Sequence, residues 1–258
     1  MQEDILEVSI IMPALNEQDN IGLAVKNALS AFDESGINAE VIVINDGSRD
    51  KTEEIVRVFM AKDKRVRLIR HDQPQGIGAS FWNGVDDAQG GVVVLLPGDN
   101  EVDPWEILRY FKLLEHVDIV IPFVFNKQVR SLFRNALSFI YRFIINTTFL
   151  VNFNYTNGTI LYRKAILKEL EFRSTSFFFQ TDILVRTVKK GYLFAEVPYR
   201  LGIRREGIST AVSFPSLLKV MRGYLRLVND FHFTRSIKES KVFHADSKTA
   251  ARKQNYQP

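Results

Sequence analysis

Three apolar runs of this chain end in side chains able to do chemistry. In the run Val93-Val94-Leu95-Leu96-Pro97-Gly98-Asp99-Asn100-Glu101 an aliphatic stretch passes straight into an acidic turn, and Asp103-Pro104 then opens a helix pattern. Two earlier runs end in a similar way, at Pro13-Ala14-Leu15-Asn16-Glu17 and at Asn45-Asp46-Gly47-Ser48. In an open α/β sheet, ligands bind outside the carboxyl ends of the strands. Asp99 and Glu101 stand two apart in a turn, a spacing that lets both face one cation, and such hard oxygen ligands suit Mg²⁺ or Mn²⁺. The competing reading is an acidic cap in front of a helix. Asp46 supplies acceptors only, which fits a nucleobase N–H or a ribose hydroxyl. Asn-Asp-Gly is equally a turn signal, and Glu17 can equally cap the helix that follows it. Taken together, the three ends imply one site for a phosphorylated ligand and a metal, and hence an enzyme.

Further candidates lie downstream. Arg204-Arg205-Glu206-Gly207-Ile208-Ser209 follows the last strand pattern, and guanidinium forks match phosphate oxygens. Asp182 opens a helix, where a carboxylate is either a partner of the helix dipole or a group that takes a proton from, or orients, an acceptor. Gly76-Ile77-Gly78 resembles the start of a dinucleotide fingerprint, but Phe81 takes the place of the third glycine and the segment follows the third strand pattern. A nicotinamide site is therefore excluded, and these glycines are read as allowing close approach of a helix end.

The elements that must position these residues are legible from periodicity. Short Val/Ile-rich runs at 8–12, 41–44, 66–69, 92–96 and 118–121 alternate with helix patterns near 19–33, 51–62, 77–88 and 104–115. Runs apolar on both faces belong to parallel strands covered on two sides, so the expected class is α/β with a doubly wound, mostly parallel sheet. Asp50-Lys51-Thr52-Glu53 reads as a capping box, and Asp103-Pro104 as a cap before a first-turn proline. Beyond residue 122 an amphipathic helix is expected over 129–151, then a strand near 159–162, a helix near 178–190 and a strand at 194–198. The helix at 129–151 carries arginines too often to span a bilayer. It either packs on the core or lies in a membrane interface. The expected organisation is one domain over 1–234, with a nucleotide half (1–122) and an acceptor half (123–234), followed by a basic, disordered tail at 235–258.

The net charge of +4 is carried entirely by that tail, which holds six basic residues and two acidic ones. Residues 119–168 contain no Asp or Glu but seven Lys or Arg, a bias toward phosphates or lipid headgroups. Hydrophobic residues make up 46% of the chain, enough for a core without staples, and the lack of cysteine excludes disulfides and thiolate metal sites. The acidic start Met1-Gln2-Glu3-Asp4 lacks the basic region of a signal peptide, so a cytoplasmic location is expected, with peripheral attachment to the inner membrane face.

In this order the motifs resemble the family 2 glycosyltransferases, which have the GT-A fold. The resemblance runs from about Val8 to Thr210. Its second half is similar to the polyprenyl-phosphate sugar transferases, with Asn154-Tyr155-Thr156-Asn157-Gly158 matching an Asp-x-x-Ser-Gly element and Arg204, Gly207 and Ser209 matching the last loop. The resemblance implies that Pro13, Leu15, Glu17 and Asp46 hold the nucleoside, and that Gly98 and Asp99 meet the sugar diphosphate. It implies further that Asp99 and Glu101 hold a divalent cation, that Arg204 faces the phosphates, and that Asp182 stands near the acceptor. Three departures stand out: Pro97 replaces the first carboxylate of the Asp-x-Asp triplet, Asn154 replaces an Asp, and Thr210 replaces a Lys.

The implied activity is inverting transfer of a sugar from a nucleotide-diphosphate sugar to a polyprenyl phosphate. The alternatives are transfer to the hydroxyl of a cell-surface or lipid-linked glycan, and a catalytically silent nucleotide-sugar-binding protein. Nucleic acid is not an expected partner.

Overall fold

The computed structural model describes residues 6–129, 131–201, 214–233 and 242–255. Strand β1 (Val8–Ala14) is buried at every position except Pro13, which is half-buried, and β2 (Ala39–Asn45) is buried throughout. Such runs are stable only between two covering layers. In β1, Ile10 and Met12 pack on one face against α1 (Ile21–Ser35) through Val25 and Phe32. Ile11 points the other way, to Phe81 and Trp82 of α3 (Ile77–Asp87) and Ile183 of α7 (Phe179–Lys190). The strand period of two thus divides one apolar run between two cores.

The sheet has seven strands. From one edge they are β3 (Val66–Arg70), β2, β1, β4 (Val92–Leu95), β6 (Leu161–Arg163), β5 (Ile119–Val124) and β7 (Phe194–Tyr199). All neighbours are parallel except β6, which is antiparallel to both β4 and β5. Pairing of Ala14 with Asn45 and of Ile11 with Leu95 brings the carboxyl ends of β1, β2 and β4 to one edge. Ladder bonds continue past these ends: Asp46 N–H donates to Ala14 O and Gly98 N–H to Pro13 O, each at 2.9 Å. Asp46 and Gly98 therefore flank the end of β1. A Cβ on Gly98 would lie 2.7 Å from Ile21 Cδ1 and 3.2 Å from Ala14 Cβ, so a side chain there would displace the Ile21 tip.

The expected α/β class is observed, and several details differ from the sequence reading. The helix expected over 104–115 breaks into α4 (Pro104–Leu108) and a 3₁₀ turn at Phe111–Glu115, a break that turns the Tyr110 hydroxyl onto Pro198 O at 2.6 Å. Asp103 caps α4 as expected, accepting from Trp105 N–H at 3.0 Å. A 19-residue helix, α8 (Phe214–His232), is absent from the sequence reading altogether. The helix expected at 129–151 is α5 (Leu132–Phe149), of which only Ile145 and Phe149 are buried. It is anchored to the core at its carboxyl end, while Leu132, Phe133, Phe139, Ile140 and Phe143 are exposed. None of the described helices is long and apolar enough to cross a membrane.

The tail expected to be disordered is corrected in its described part. Following α6 (Lys164–Lys168) and α7 in the numbering of short helices, α9 (Lys248–Asn255) docks by its amino end on the fully buried Asp118 carboxylate. Asp118 accepts from Lys248 N–H at 2.6 Å, from Thr249 N–H at 3.0 Å and from the Thr249 hydroxyl. Thr249 Oγ1 accepts in turn from Leu193 N–H at 2.9 Å, and Phe243 meets Tyr192 edge-on. A carboxylate at a helix amino end satisfies orphan amides and complements the dipole, which composition alone does not reveal. The residues outside the described set include Arg130 and 202–213.

Asp118→Ala should release α9 and cost about 3 kcal/mol, because charge-assisted bonds to buried amides are lost together. Urea unfolding and proteolysis near residue 245 measure the loss, and unchanged stability would refute the anchoring.

Candidate functional site

The loop after β1 is fastened to the loop after β2 by alternating side chain to backbone bonds. Asn16 N–H donates to Ser48 Oγ (3.0 Å), Glu17 N–H to Thr52 Oγ1 (2.8 Å) and Gln18 N–H to Asp50 Oδ2 (3.0 Å). In the opposite direction Arg49 N–H donates to Asn16 Oδ1 (2.9 Å) and Lys51 N–H to Gln18 Oε1 (3.3 Å). Asn16 has φ 56°, a left-handed conformation that Asn tolerates. The expected capping box does not form: Lys51 precedes the helix Thr52–Lys62 without a side-chain cap bond, Glu53 accepts from Asn45 and Arg57 instead, and Asp50 accepts from Thr52 N–H at 3.0 Å and holds the neighbouring loop. Burial tends to raise the Asp50 carboxyl, but its bonds from Thr52 and Gln18 outweigh this and hold it below its ordinary value.

Asp46 is buried and its carboxylate is already engaged. Oδ1 accepts from Gln75 N–H at 2.7 Å and meets His71 Nδ1 at 2.7 Å, while Oδ2 accepts from Gly76 N–H at 2.8 Å. Asn83 Nδ2 lies 2.8 Å from His71 Nε2, so the network assigns the proton to Nδ1. Asp46 thus pins the loop between β3 and α3, and Gly78 lets α3 pack on the 172–176 segment: a Cβ there would meet Thr175 backbone at 2.5 Å. This is the close helix approach that the glycines imply. Pro13 sits within β1, Leu15 is exposed at the loop tip, and Glu17 accepts from Asn20 Nδ2 at 2.9 Å.

A cavity of about 460 Å³ is lined by Pro97, Asp99 and Glu101 after β4, by Arg134, Tyr141 and Arg142 of α5, by the 154–159 segment and by Gln180. Asp99 Oδ1 accepts from Glu101 N–H at 3.1 Å, and Asn100 has φ 57° with its side chain held by Asn27 Nδ2 at 3.0 Å. This turn brings both carboxylates to one cavity wall. Two hard oxygen donors beside open space fit a divalent cation that completes its shell with water and ligand phosphate oxygens. No group of three or more acidic, His or Cys side chains suited to a metal occurs among the described residues.

Of the sequence candidates among the described residues, Asp99 and Glu101 line the cavity, while Pro13, Leu15, Glu17, Asp46 and Gly98 do not. Arg204 lies outside the described residues. Asp182 does not line the cavity: it is buried and paired with Arg186 Nε at 3.0 Å, and Arg186 reaches Asp230 of α8 at 2.6 Å. Burial pushes the Asp182 carboxyl up, against the opposing bond from Arg186. On a helix, residues two apart face different directions, so Gln180 faces the cavity and Asp182 faces α8. Gln180 is held from both ends, by Tyr162 OH at 2.8 Å and Gly158 O at 3.1 Å.

Sequence reasoning missed Gln180, Tyr141 and the cavity-facing role of Arg134 and Arg142; the only signal for the arginines was the acid-free block. The Asn154 departure has a physical reason. Its N–H and Nδ2 donate to Glu196 Oε1 and Oε2 at 2.6 and 2.8 Å, a place where aspartate would oppose a second carboxylate.

Asn154→Asp should therefore lower stability by about 1–3 kcal/mol at neutral pH, with partial recovery in acid, as read from melting curves. Because the Asp50 carboxyl is held low, its stabilising contribution is complete above about pH 4 and is lost as pH falls through its lowered value. Hydrogen exchange at Gln18 and Thr52 should accelerate across that acidic window in the wild type and already be fast at neutral pH in Asp50→Ala.

The family profile described as "Glycosyl transferase family 2" matches residues 9–171. A glycosyltransferase of Haemophilus influenzae is 36% identical over 112 residues, which are 43% of this chain and 44% of that protein. An undecaprenyl-phosphate 4-deoxy-4-formamido-L-arabinose transferase of Edwardsiella ictaluri is 27% identical over 142 residues, 55% of this chain and 44% of that protein. The matches thus span less than half the length of these curated relatives. Among solved structures, glucosyl-3-phosphoglycerate synthase from Mycobacterium tuberculosis, in complex with Mn²⁺, UDP-glucose and phosphoglyceric acid, aligns with a TM-score of 0.64. The alignment has 19% identity and covers 87% of this chain and 79% of that one, a likeness of fold. With the family profile covering more than half of the sequence, the chain belongs to glycosyl transferase family 2.

Proposed function

We propose that the chain transfers a sugar from a nucleotide-diphosphate sugar to a lipid phosphate of the polyprenyl type, with inversion at the anomeric carbon. The observation that carries this reading is the cavity that Asp99, Glu101, Arg134 and Arg142 line together. The joined loops 15–18 and 46–52 would hold the nucleoside, Pro13, Leu15, Glu17 and Asp46 forming or buttressing that surface. Asp46 would act chiefly by fixing the 75–76 backbone, since three bonds already engage it. Gly98 would meet the diphosphate by its backbone. Asp99 and Glu101 would hold Mg²⁺ or Mn²⁺. When bound, that cation supplies neutralisation of the charge that develops on the departing diphosphate. Arg204 would meet the same phosphates from its loop.

Arg134 and Arg142 favour an anionic acceptor. Its phosphate oxygen forms the new bond to the anomeric carbon as the bond to the donor diphosphate breaks, and no proton has to be removed. Gln180, an amide, stands where a hydroxyl acceptor would need a base. Asp182 would then be a positioning residue, acting through Arg186 on the packing of α7 against α8. Similarity to the undecaprenyl-phosphate 4-deoxy-4-formamido-L-arabinose transferase of Edwardsiella ictaluri supports the acceptor class. The exposed Phe139, Ile140 and Phe143 beside arginines support peripheral attachment to a membrane, where such an acceptor resides. A glycan hydroxyl acceptor is the second reading, and Pro97 in the acidic turn supports a third, donor binding without turnover.

Labelled nucleotide sugars with Mn²⁺, offered polyprenyl phosphate or free glycan, separate these readings. Turnover is expected with the lipid phosphate only. Asp99→Ala should lower kcat on the order of a hundredfold, and Arg134→Ala should raise KM for the lipid phosphate. Turnover by Asp99→Ala at the wild-type rate would remove the metal assignment, and donor binding without transfer to any acceptor would establish the silent form.

A further inference from the structure

Helix α8 divides its surface into three arcs. Val220, Tyr224, Leu227 and Phe231 turn inward onto the core. Leu218, Met221 and Leu225 form an exposed apolar stripe at spacings of three and four. Between these arcs Lys219, Arg222 and Arg226 stand at i, i+3 and i+7 and line a cleft of about 500 Å³. Its other walls are the 172–177 segment and the amino end of α3, whose cap, Gly76, offers no side-chain bond.

The charges in this cleft are unbalanced. Arg173 on the far wall is matched by Asp86 at 2.7 Å, and on the inner side Arg186 is matched by Asp182 and Asp230. Among the described residues, Lys219, Arg222 and Arg226 make no ion pair, and the Arg226 guanidinium is held over the Phe172 ring at 3.5 Å. Like charges on one helix face repel, and an anion with several acceptor oxygens relieves that repulsion.

We propose that this cleft binds the phosphate group of an anionic phospholipid and so seats α8 in the membrane interface. The apolar stripe selects the source, because a row of cations flanking exposed Leu and Met suits a headgroup layer above acyl chains and has no use for a free ion. The cleft is separate from the reaction cavity, although Ile77 and Phe177 line both. The inference rests on the membrane-facing part of the proposed function and not on sugar transfer.

The test uses the full chain and needs no turnover. Sedimentation with phosphatidylcholine vesicles, with and without phosphatidylglycerol, is compared for wild type and the triple variant K219Q/R222Q/R226Q. Wild type should prefer the anionic vesicles, and the variant should bind them at least about tenfold more weakly, with its melting temperature and its response to UDP unchanged. Wild type that ignores both vesicle types overturns the membrane reading. A variant that keeps the wild-type preference overturns the cleft assignment alone. A third arm uses inorganic phosphate. If it raises the wild-type melting temperature through these cations while vesicles show no charge preference, the occupant is a free anion and the lipid assignment is wrong.

Discussion

One buried carboxylate holds the geometry of the donor side together. Asp46 gathers two backbone amides of the 75–76 turn and the ring of His71, so the ends of β2 and β3 and the start of α3 are fixed to one another. A charge removed from water is tolerable only where several donors replace its hydration. The acidic residue at the end of β2 therefore does structural work whatever ligand binds. The adjoining Ser48, Asp50 and Thr52 extend the same principle outward by bonding the amides of residues 16–18. Loops with polar ends become a rigid surface because each orphan amide is answered by a side chain a few residues along the partner loop.

The sheet determines which loops can meet. Parallel pairing of β1 with β2 and with β4 places three carboxyl ends on one edge, the expected position of a site in such a sheet. The antiparallel β6 then reverses the chain direction next to β4. Through it the 154–159 segment returns to the cavity that Asp99 lines. The same cavity is lined by two carboxylates from the turn after β4 and by two guanidinium groups from α5.

Helices α5 and α8 carry a related logic outward. Both expose large apolar residues beside arginines while their opposite faces pack on the core, and Thr148 and Tyr224 join them through a 2.8 Å hydroxyl bond. The carboxyl end of α5 is anchored by Ile145 and Phe149, and the rest of the helix is exposed.

The local pattern of the chain determined its strands, most of its helices and the three acidic or amide strand ends, because periodicity and caps are properties of neighbouring residues. Side-chain types and their order were sufficient to identify the family. Only tertiary structure decided which way equivalent-looking groups point. Asp182 and Gln180 lie two residues apart on one helix, yet one is consumed by Arg186 and the other lines the cavity. No local signal separates them, since the choice depends on where α8 packs. The same holds for Asp118, whose partner is 130 residues away in the α9 segment that composition marked as disordered. Long-range partners of this kind are set by burial and by unsatisfied amides brought close in the fold, and neither is written in the sequence around them.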